Sequence, residues 1–316
     1  MSDRRPLLLL VNPVSGGKLG APDVLDADPE ALEPGALLAA LRDRGLEVEL
    51  HVLGEDDDAP ALARAAAERG MDVVAGGGDG TVGPVAGALC HTEATLGILA
   101  MGSWNNVAMT CRVPMALEPA LDAIARGEAT RIDTGLAWHP DGGRDAPDDA
   151  PPDDAQRFFE AAGVGLDAAG FGATQVGERH GLLAALRSAW RALRRRRTAM
   201  RLVVDGRRLG TQAPAVTVCN GPYMGMGFAI APEADPTDGK LDVVVFSGMT
   251  RWAVLRHWIA VAGRRPRREP RMRRLDAERV TISGVRRVLP AHADGRSIGT
   301  TPVSFAVDPG ALRVFR

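Results

Sequence analysis

The stretch MDVVAGGGDGTVGPVAGAL, residues 71–89, decides the fold. An apolar run, Met71 to Ala75, enters Gly76-Gly77-Gly78-Asp79-Gly80-Thr81, and an Ala-rich segment of weak helical character, Val82 to Leu89, follows. Strand, glycine loop and helix in that order suit a phosphate cradle. Successive glycines permit φ > 0 and let another molecule approach the backbone closely. Amides at the start of the helix can then hold phosphate oxygens, with help from the helix dipole. Asp79 is the odd member. Phosphates repel a carboxylate unless a cation lies between them, so the loop points to a nucleotide with Mg²⁺. The bland alternative is a tight βα turn whose aspartate caps the helix.

Upstream, Leu7 to Val11 is a continuous apolar run of the kind that forms a strand covered on both faces. It opens into Asn12-Pro13-Val14-Ser15-Gly16-Gly17-Lys18, a second glycine loop with a hydroxyl and a lysine suited to phosphate. Pro34 to Arg44 reads as a helix stopped by Gly45, Leu46 to Leu53 as a strand, and Ala59 to Arg69 as a helix ended by Gly70. Downstream, a strand from Thr95 to Ala100 enters Met101-Gly102-Ser103-Trp104-Asn105-Asn106, with helices at Val107 to Cys111 and Leu117 to Arg126. Alternating strands and helices predict a parallel sheet with helices on both faces. Ligands of such sheets sit beyond the strand C-termini, the edge shared by the loops at 12–18, 76–81 and 102–106.

Past Arg131 the pattern changes. Thr130 to Trp138 is strand-like, and 139–156 is rich in Asp, Pro and Gly, as in a surface loop. Short strand-like runs recur at 158–164, 200–205, 214–219, 241–246, 279–283 and 303–307, interrupted by helical stretches at Leu182 to Arg195 and Arg251 to Val261. This predicts a mainly β second domain, a sandwich or similar, with the division placed at 1–131 and 132–316. The last residues are free to pack back on the first domain.

Composition sets the outer limits. The chain has 316 residues, is 45% hydrophobic and carries a net charge of -2, so size permits two domains and overall charge singles out no polyanion. Charge is nevertheless segregated: six Asp between Asp141 and Asp154, nine Arg and one Glu between Met249 and Arg274. Cys90, Cys111 and Cys219 match no metal-ligand spacing and read as free thiols of a reducing compartment. No apolar run approaches the roughly 20 residues of a membrane span. Arg4-Arg5-Pro6 before Leu7 to Val11 imitates a leader, but Asn12-Pro13 interrupts it too soon, so a cytoplasmic protein is expected.

These segments together resemble the diacylglycerol kinase catalytic family, which includes bacterial lipid kinases and sphingosine kinases. VNPVSGGK at 11–18 resembles its opening nucleotide loop, GGGDGT at 76–81 its signature, and LGILAMGSWNNVA at 96–108 its Gly-Thr-x-Asn-Asp segment. CNGPYMGMGFAIAPEADPTDGKLDVVVF at 219–246 is the closest match, and HADGRSIGTTPVSFAVDPGALRVF at 292–315 resembles the closing segment. GGDGT alone is shared with NAD kinases and phosphofructokinases; the set in this order is far more specific. The resemblance implies an α/β first domain like that of those kinases, a β-sandwich second domain, and ATP with Mg²⁺ in a cleft between them. It implies transfer of the γ-phosphate to a hydroxyl of diacylglycerol or a related lipid. By matching position, Asn12, Ser15, Gly16, Gly17, Gly77, Gly78, Asp79, Gly80, Thr81, Ser103 and Asn105 would bind nucleotide. Asp235 and Asp238, with the carbonyl of Lys240, would hold a Mg²⁺ linked to Asp79 through water. The residue-level alternative for both aspartates is an ordinary Pro-Thr-Asp-Gly turn.

Three departures each remove a carboxylate: Gly83-Pro84 after the signature, Asn106 in the third segment, and Arg296 in Asp294-Gly295-Arg296, where the family has the Glu that serves as general base. Arginine cannot accept a proton at neutral pH. Either Asp294 or another carboxylate takes over the base work while Arg296 stabilises transferred phosphate or substrate, or the chain is a catalytically impaired nucleotide-binding regulator. NAD kinase is a third reading, disfavoured by the match at 219–246. A lipid acceptor also implies contact with an anionic membrane. Trp252, Leu255, Trp258 and Ile259 offer an apolar side, and Arg251 to Arg274 with Arg191 to Arg197 supply positive charge, each basic residue worth about 1 kcal/mol near anionic lipid. No recognised nucleic-acid motif accompanies these arginines. A homodimer is left open.

Overall fold

The structure is a computed structural model that describes residues 4–15, 29–141, 150–165, 198–225, 227–250, 252–253, 256 and 272–316. Gly16, Gly17, Lys18, the basic cluster 191–197, the expected helix at 182–195 and most of that at 251–261 lie outside the described residues. The chain divides into two units, Met1–Asp133 with Gly310–Arg316, and Thr134–Pro309.

The first unit is built on parallel strands β1 (Leu7–Val11), β2 (Val48–Val52), β3 (Asp72–Gly77) and β4 (Thr95–Ala100), in the order β2-β1-β3-β4. The C-terminal segment extends this sheet, Arg313 and Val314 pairing in parallel with Thr95 and Leu96. The helices are α1 (Pro34–Asp43), α2 (Ala59–Glu68), α3 (Asp79–Leu89), α4 (Asn106–Thr110) and α5 (Leu117–Arg126). Because strand side chains alternate between faces, Leu7, Leu9 and Val11 turn to one side. There they form a buried core with Leu37 and Leu41 of α1 and Leu117, Leu121 and Ile124 of α5. Leu8 and Leu10, buried as well, belong to the opposite face, and α2 and α3 pack against each other and against β1 and β3. Both faces are therefore covered, which explains the unbroken apolar strands.

The second unit is antiparallel. It uses β5 (Ala129–Trp138, entering from the first unit), β6 (Gln156–Phe158), β7 (Ala161–Gly165), β8 (Thr198–Val204), β9 (Arg207–Ala213), β10 (Ala215–Cys219), β11 (Tyr223–Met224), β12 (Phe228–Ala229) and β13 (Leu241–Val245). It continues with β14 (Arg273–Ala277), β15 (Arg279–Gly284), β16 (Pro290–Ala293), β17 (Arg296–Thr300) and β18 (Val303–Phe315, leaving into the first unit). One sheet runs β14-β13-β10-β7-β16-β17; the other brings β15 between β18 and β8, with β9 beyond. Val216 and Val218 of β10, Val243 of β13, Leu202 of β8 and Ile282 of β15 meet in one buried core, where Phe158 and Phe305 cross edge to face at 6.2 Å between centroids. Gly135 leaves the space that this contact needs, since a Cβ there would stand 2.0 Å from the Phe158 ring. The opposite face of β10, bearing Ala215 and Cys219, is covered by Met224, Ile230, Ala231, Ala234 and Met249. Two core faces on one sheet, with a second sheet against one of them, make the sandwich.

Three local expectations are corrected. Helix α3 begins at Asp79, inside the glycine loop, not at Val82. The run 158–164 is two strands, β6 and β7, broken at Phe159-Glu160. The last strand runs 13 residues to Phe315, far past 307. Strands β9, β14 and β17 escape periodicity because their exposed positions carry Arg, Gly, Thr and other polar residues, and β16 because it is only four residues long.

Candidate active site

The three loops of the first unit converge where parallel topology places them. Asn12 lies just past β1, and its Nδ2 donates to Thr81 Oγ1 at 3.0 Å, joining the first loop to the first turn of α3. The Met101 N–H donates to the Gly77 carbonyl at 3.0 Å. Gly78 and Gly102 are in backbone contact: a Cβ on Gly102 would stand 2.4 Å from Gly78 Cα. Asn105, left-handed at φ 52° and buried, clasps the third loop, its Oδ1 accepting from Gly102 N at 2.8 Å and its Nδ2 donating to Gly102 O at 2.7 Å. Gly80 has nothing within 4 Å of its missing Cβ, so the mouth of α3 is open. Helix amides of the first turn point outward from such a mouth.

Asp79 does not cap its own helix. Its Oδ1 accepts from Val107 N at 2.9 Å, so it caps α4 from a distance of 28 residues. Burial pushes the Asp79 carboxyl above its ordinary value, and the N–H groups of Val107, Asn106 and Asn105 pull the other way. Pro84 sits inside α3, where it cannot donate to the Gly80 carbonyl one turn back; that carbonyl lies at the exposed end of the helix. Ser15 and Ser103 are half-buried on the same loops.

The second unit holds the other expected residues in two places. Asp235 Oδ1 accepts from Thr237 N at 3.1 Å and Thr237 Oγ1 at 2.7 Å, and Asp238 Oδ1 accepts from Lys240 N at 2.9 Å. These are consecutive Asx turns, so Asp235 and Asp238 do the turn work that Pro-Thr-Asp-Gly suggests. Asp242 follows at once; burial and then the charges of Asp276 and Asp238 push its carboxyl up to about 6. Asp238 and Lys240 also line a depression of about 610 Å³ with Asp205, Glu278 and Arg279. No group of three or more His, Cys, Asp or Glu arranged for a metal occurs among the described residues. Hard cations are also bound through a few carboxylates with carbonyl and water oxygens, so the two carboxylates on this turn fit Mg²⁺ chemistry.

Asp294 and Gly295, at φ 43° and 71°, form the two-residue turn between β16 and β17. The Asp294 carboxylate reaches back into the break between β6 and β7. There Oδ2 accepts from Phe159 N at 2.8 Å, and Oδ1 from Glu160 N at 2.9 Å and Ala161 N at 3.2 Å. Burial pushes its carboxyl up to about 6, against those three N–H groups and nearby His292. The base role expected of Asp294 thus meets a carboxylate already committed to three backbone donors. Arg296 is the exposed first residue of β17.

Glu160 is the residue that sequence reading missed. It is buried at 8% exposure, and its Oε2 accepts from Gly225 N at 3.0 Å. Its carbonyl accepts from Asn220 N at 3.0 Å and Gly221 N at 3.2 Å. One signal was available: a lone Glu inside the apolar run Phe158-Phe159-Glu160-Ala161-Ala162.

With this geometry in view, residues 6–137 match the model of the diacylglycerol kinase catalytic domain. Residues 161–316 match that of the YegS C-terminal NAD kinase beta sandwich-like domain. A protein of Escherichia fergusonii named "Probable lipid kinase YegS" is 30% identical over 235 residues, 70% of this chain and 71% of that protein. A "Probable lipid kinase YegS-like" protein of Yersinia enterocolitica is 37% identical over 98 residues, 29% of this chain and 33% of its own length. The fold is shared with a crystal structure titled as a diacylglycerol kinase from Bacillus anthracis, with TM-score 0.70, 20% identity, and coverage of 100% of this chain and 98% of that one.

Proposed function

The chain belongs to the diacylglycerol kinase catalytic family as a relative of the YegS lipid kinases, and from that membership we propose that it transfers the γ-phosphate of ATP to a hydroxyl of diacylglycerol or a related lipid. The observation that carries the reading is the glycine mouth of α3: Asn12 bonded to Thr81, Gly78 against Gly102, and open space at Gly80. Backbone amides at such a mouth suit the phosphates of ATP. Asn12, Ser15, Thr81 and Ser103 add side-chain partners on the same loops, and Asn105 holds Gly102 in place. Mg²⁺, when bound, would neutralise charge on the phosphates; Asp235, Asp238 and the carbonyl of Lys240 are the groups proposed to hold it. Phosphoryl transfer depends chiefly on positioning and charge stabilisation, which rigid loops supply.

We further propose a cytoplasmic enzyme that touches the inner membrane face transiently. Among the described residues no helix is long and apolar enough to cross a membrane. Trp252 is 53% exposed beside buried Ala253, with Arg256 exposed one turn on. Pelleting with vesicles, with and without anionic lipid, tests this; binding indifferent to lipid charge would refute it.

Incubation with γ-labelled ATP and a total lipid extract tests the main reading. Label in a phospholipid is expected. Label only in a soluble dinucleotide would make the chain an NAD kinase. No transfer despite ATP binding would make it the nucleotide-binding regulator that Arg296 suggests.

A further inference from the structure

We propose that the loop Val285-Arg286-Arg287-Val288, between β15 and β16, docks on the surface of an anionic lipid bilayer. Its valines enter the headgroup boundary and its arginines meet lipid phosphates. The inference rests on the lipid kinase reading and deepens it, naming the surface that brings the enzyme to its substrate. All four residues are exposed, Val285 to 42% and Val288 to 63%. Neither Arg286 nor Arg287 has a side-chain hydrogen bond or ion pair among the described residues. A single exposed valine is ordinary. Two valines that bracket an unpaired arginine pair make one amphipathic tip.

The tip is braced on both sides. Val285 N donates to the Ala199 carbonyl at 3.0 Å, which ties it to the start of β8. Leu289 N donates to Thr301 Oγ1 at 3.0 Å, and the Leu289 carbonyl accepts from Thr301 N at 2.8 Å. The Leu289 side chain is buried in the sandwich core. Gly284 lets the chain fold back on itself, since a Cβ there would stand 1.9 Å from the Arg287 carbonyl oxygen. The valines are exposed by a held loop, so docking has little further chain to order.

Charge names the occupant. The whole chain carries -2, yet this end of the sheet is basic. Ser283 and Gly284 pair with Arg201 and Met200 of β8, and Ala199 and Met200 pair with Gln212 and Thr211 of β9. Residues 283–289, 198–201 and 210–213 contain three arginines and no carboxylate. In the sequence, β8 follows directly on Arg194-Arg195-Arg196-Arg197. Positive charge alone would also suit a nucleic acid. The valines decide for lipid, because apolar side chains gain from the acyl boundary and nothing from a phosphate backbone.

The test is sedimentation of the full-length protein with vesicles of phosphatidylcholine, alone or mixed with phosphatidylglycerol, at low and high salt. Wild type is compared with three double variants: Arg286→Gln with Arg287→Gln, Val285→Ser with Val288→Ser, and Arg207→Gln with Arg208→Gln. The last pair is a control that removes two exposed arginines of β9. Thermal unfolding and phosphotransfer to diacylglycerol in neutral detergent micelles are read alongside, and both should match wild type. One basic residue near anionic lipid is worth about fivefold in binding, so the loop arginine variant should bind mixed vesicles about 25-fold more weakly, with a shallower salt dependence. The valine variant should bind about tenfold more weakly with its salt dependence kept. The control should bind as wild type does. A loop arginine variant that binds mixed vesicles like wild type overturns the proposal. So does a valine variant that does, since a polyanion site would then replace the bilayer surface. A control as weak as the loop arginine variant overturns it too, by making the attraction one of general charge. None of these results touches the lipid kinase reading, which falls instead if wild type labels no diacylglycerol in micelles. Binding to mixed vesicles that is lost with the valines and with the loop arginines would uphold the docking surface even then.

Discussion

Two turns of the second unit share nearly one sequence and differ in everything that surrounds them. Asp205-Gly206-Arg207-Arg208-Leu209-Gly210 joins β8 to β9, and Asp294-Gly295-Arg296-Ser297-Ile298-Gly299 joins β16 to β17. In both, Asp and Gly take positive φ, 45° and 75° in one and 43° and 71° in the other, as a two-residue hairpin requires. In both, the Asp carboxylate receives backbone N–H groups of another segment. Asp205 Oδ1 accepts from Glu278 N at 3.1 Å and Arg279 N at 2.9 Å, at the surface. Asp294 accepts from three amides through both oxygens, beside buried Glu160 and His292. The arginine that follows is exposed in each. Asp-Gly-Arg is therefore a hairpin solution in this chain before it is anything catalytic, and burial alone makes one copy look like a site.

The comparison is broken most directly by alanine. Hydrogen bonds to charged groups contribute about 1.5–3 kcal/mol each, and buried donors left unsatisfied add to the loss. Asp294→Ala is expected to destabilise the protein by about 3 kcal/mol or more, with phosphotransfer lost alongside. Asp205→Ala, whose orphaned donors are open to water, should cost about 1 kcal/mol. Urea denaturation of both variants decides it, and equal losses would show that burial does not separate the turns.

A pH series sharpens the same contrast. The Asp294 carboxyl is raised to about 6, above its ordinary 3.8. A group whose folded value is raised contributes stability that is fully present below the unfolded value and lost as pH climbs through the folded one. The stability of wild type relative to Asp294→Asn should therefore decline between about pH 4 and pH 6 and then level. Denaturation midpoints read against pH measure the slope, and a difference that does not change with pH would contradict the buried assignment.

Asp79 offers the intermediate case, a carboxylate that caps a helix and also faces a proposed nucleotide. Removing a cap costs about 1 kcal/mol. Asp79→Ala is thus expected to fold with a modest loss of thermal stability, yet to lose ATP–Mg²⁺ binding in calorimetry. Unchanged ATP affinity would leave Asp79 as the cap of α4 and nothing more.

These cases also show what was legible in the residues. The parallel sheet was, because Leu7 to Val11, Val73 to Ala75 and Leu96 to Ala100 are apolar on both faces and each enters a glycine loop. Strand β9 was not, because its exposed edge carries Arg and Gly in place of alternating apolar residues. Glu160 was hidden for a different reason. A motif search follows residues near in sequence, whereas Glu160 is defined by Asp294, 134 residues away, and by Gly225, 65 away. Its hydrogen bonds are tertiary facts with no local periodicity.

The smallest effect expected is also the most discriminating between motif and hairpin. Surface substitutions away from buried partners usually change stability by under about 0.5 kcal/mol. Arg207→Ser and Arg296→Ser should both stay within that range, since each arginine stands exposed at the head of its second strand. Activity separates them. If Arg296 is only the hairpin residue that its counterpart is, kcat of Arg296→Ser stays within about threefold of wild type, as for Arg207→Ser, since a preserved barrier leaves the rate unchanged. If Arg296 stabilises transferring phosphate, its loss removes charge compensation in the transition state, and kcat should fall by about tenfold or more while Arg207→Ser remains normal. Steady-state kinetics of the two variants side by side thus test whether position 296 acquired a role when it gave up a carboxylate.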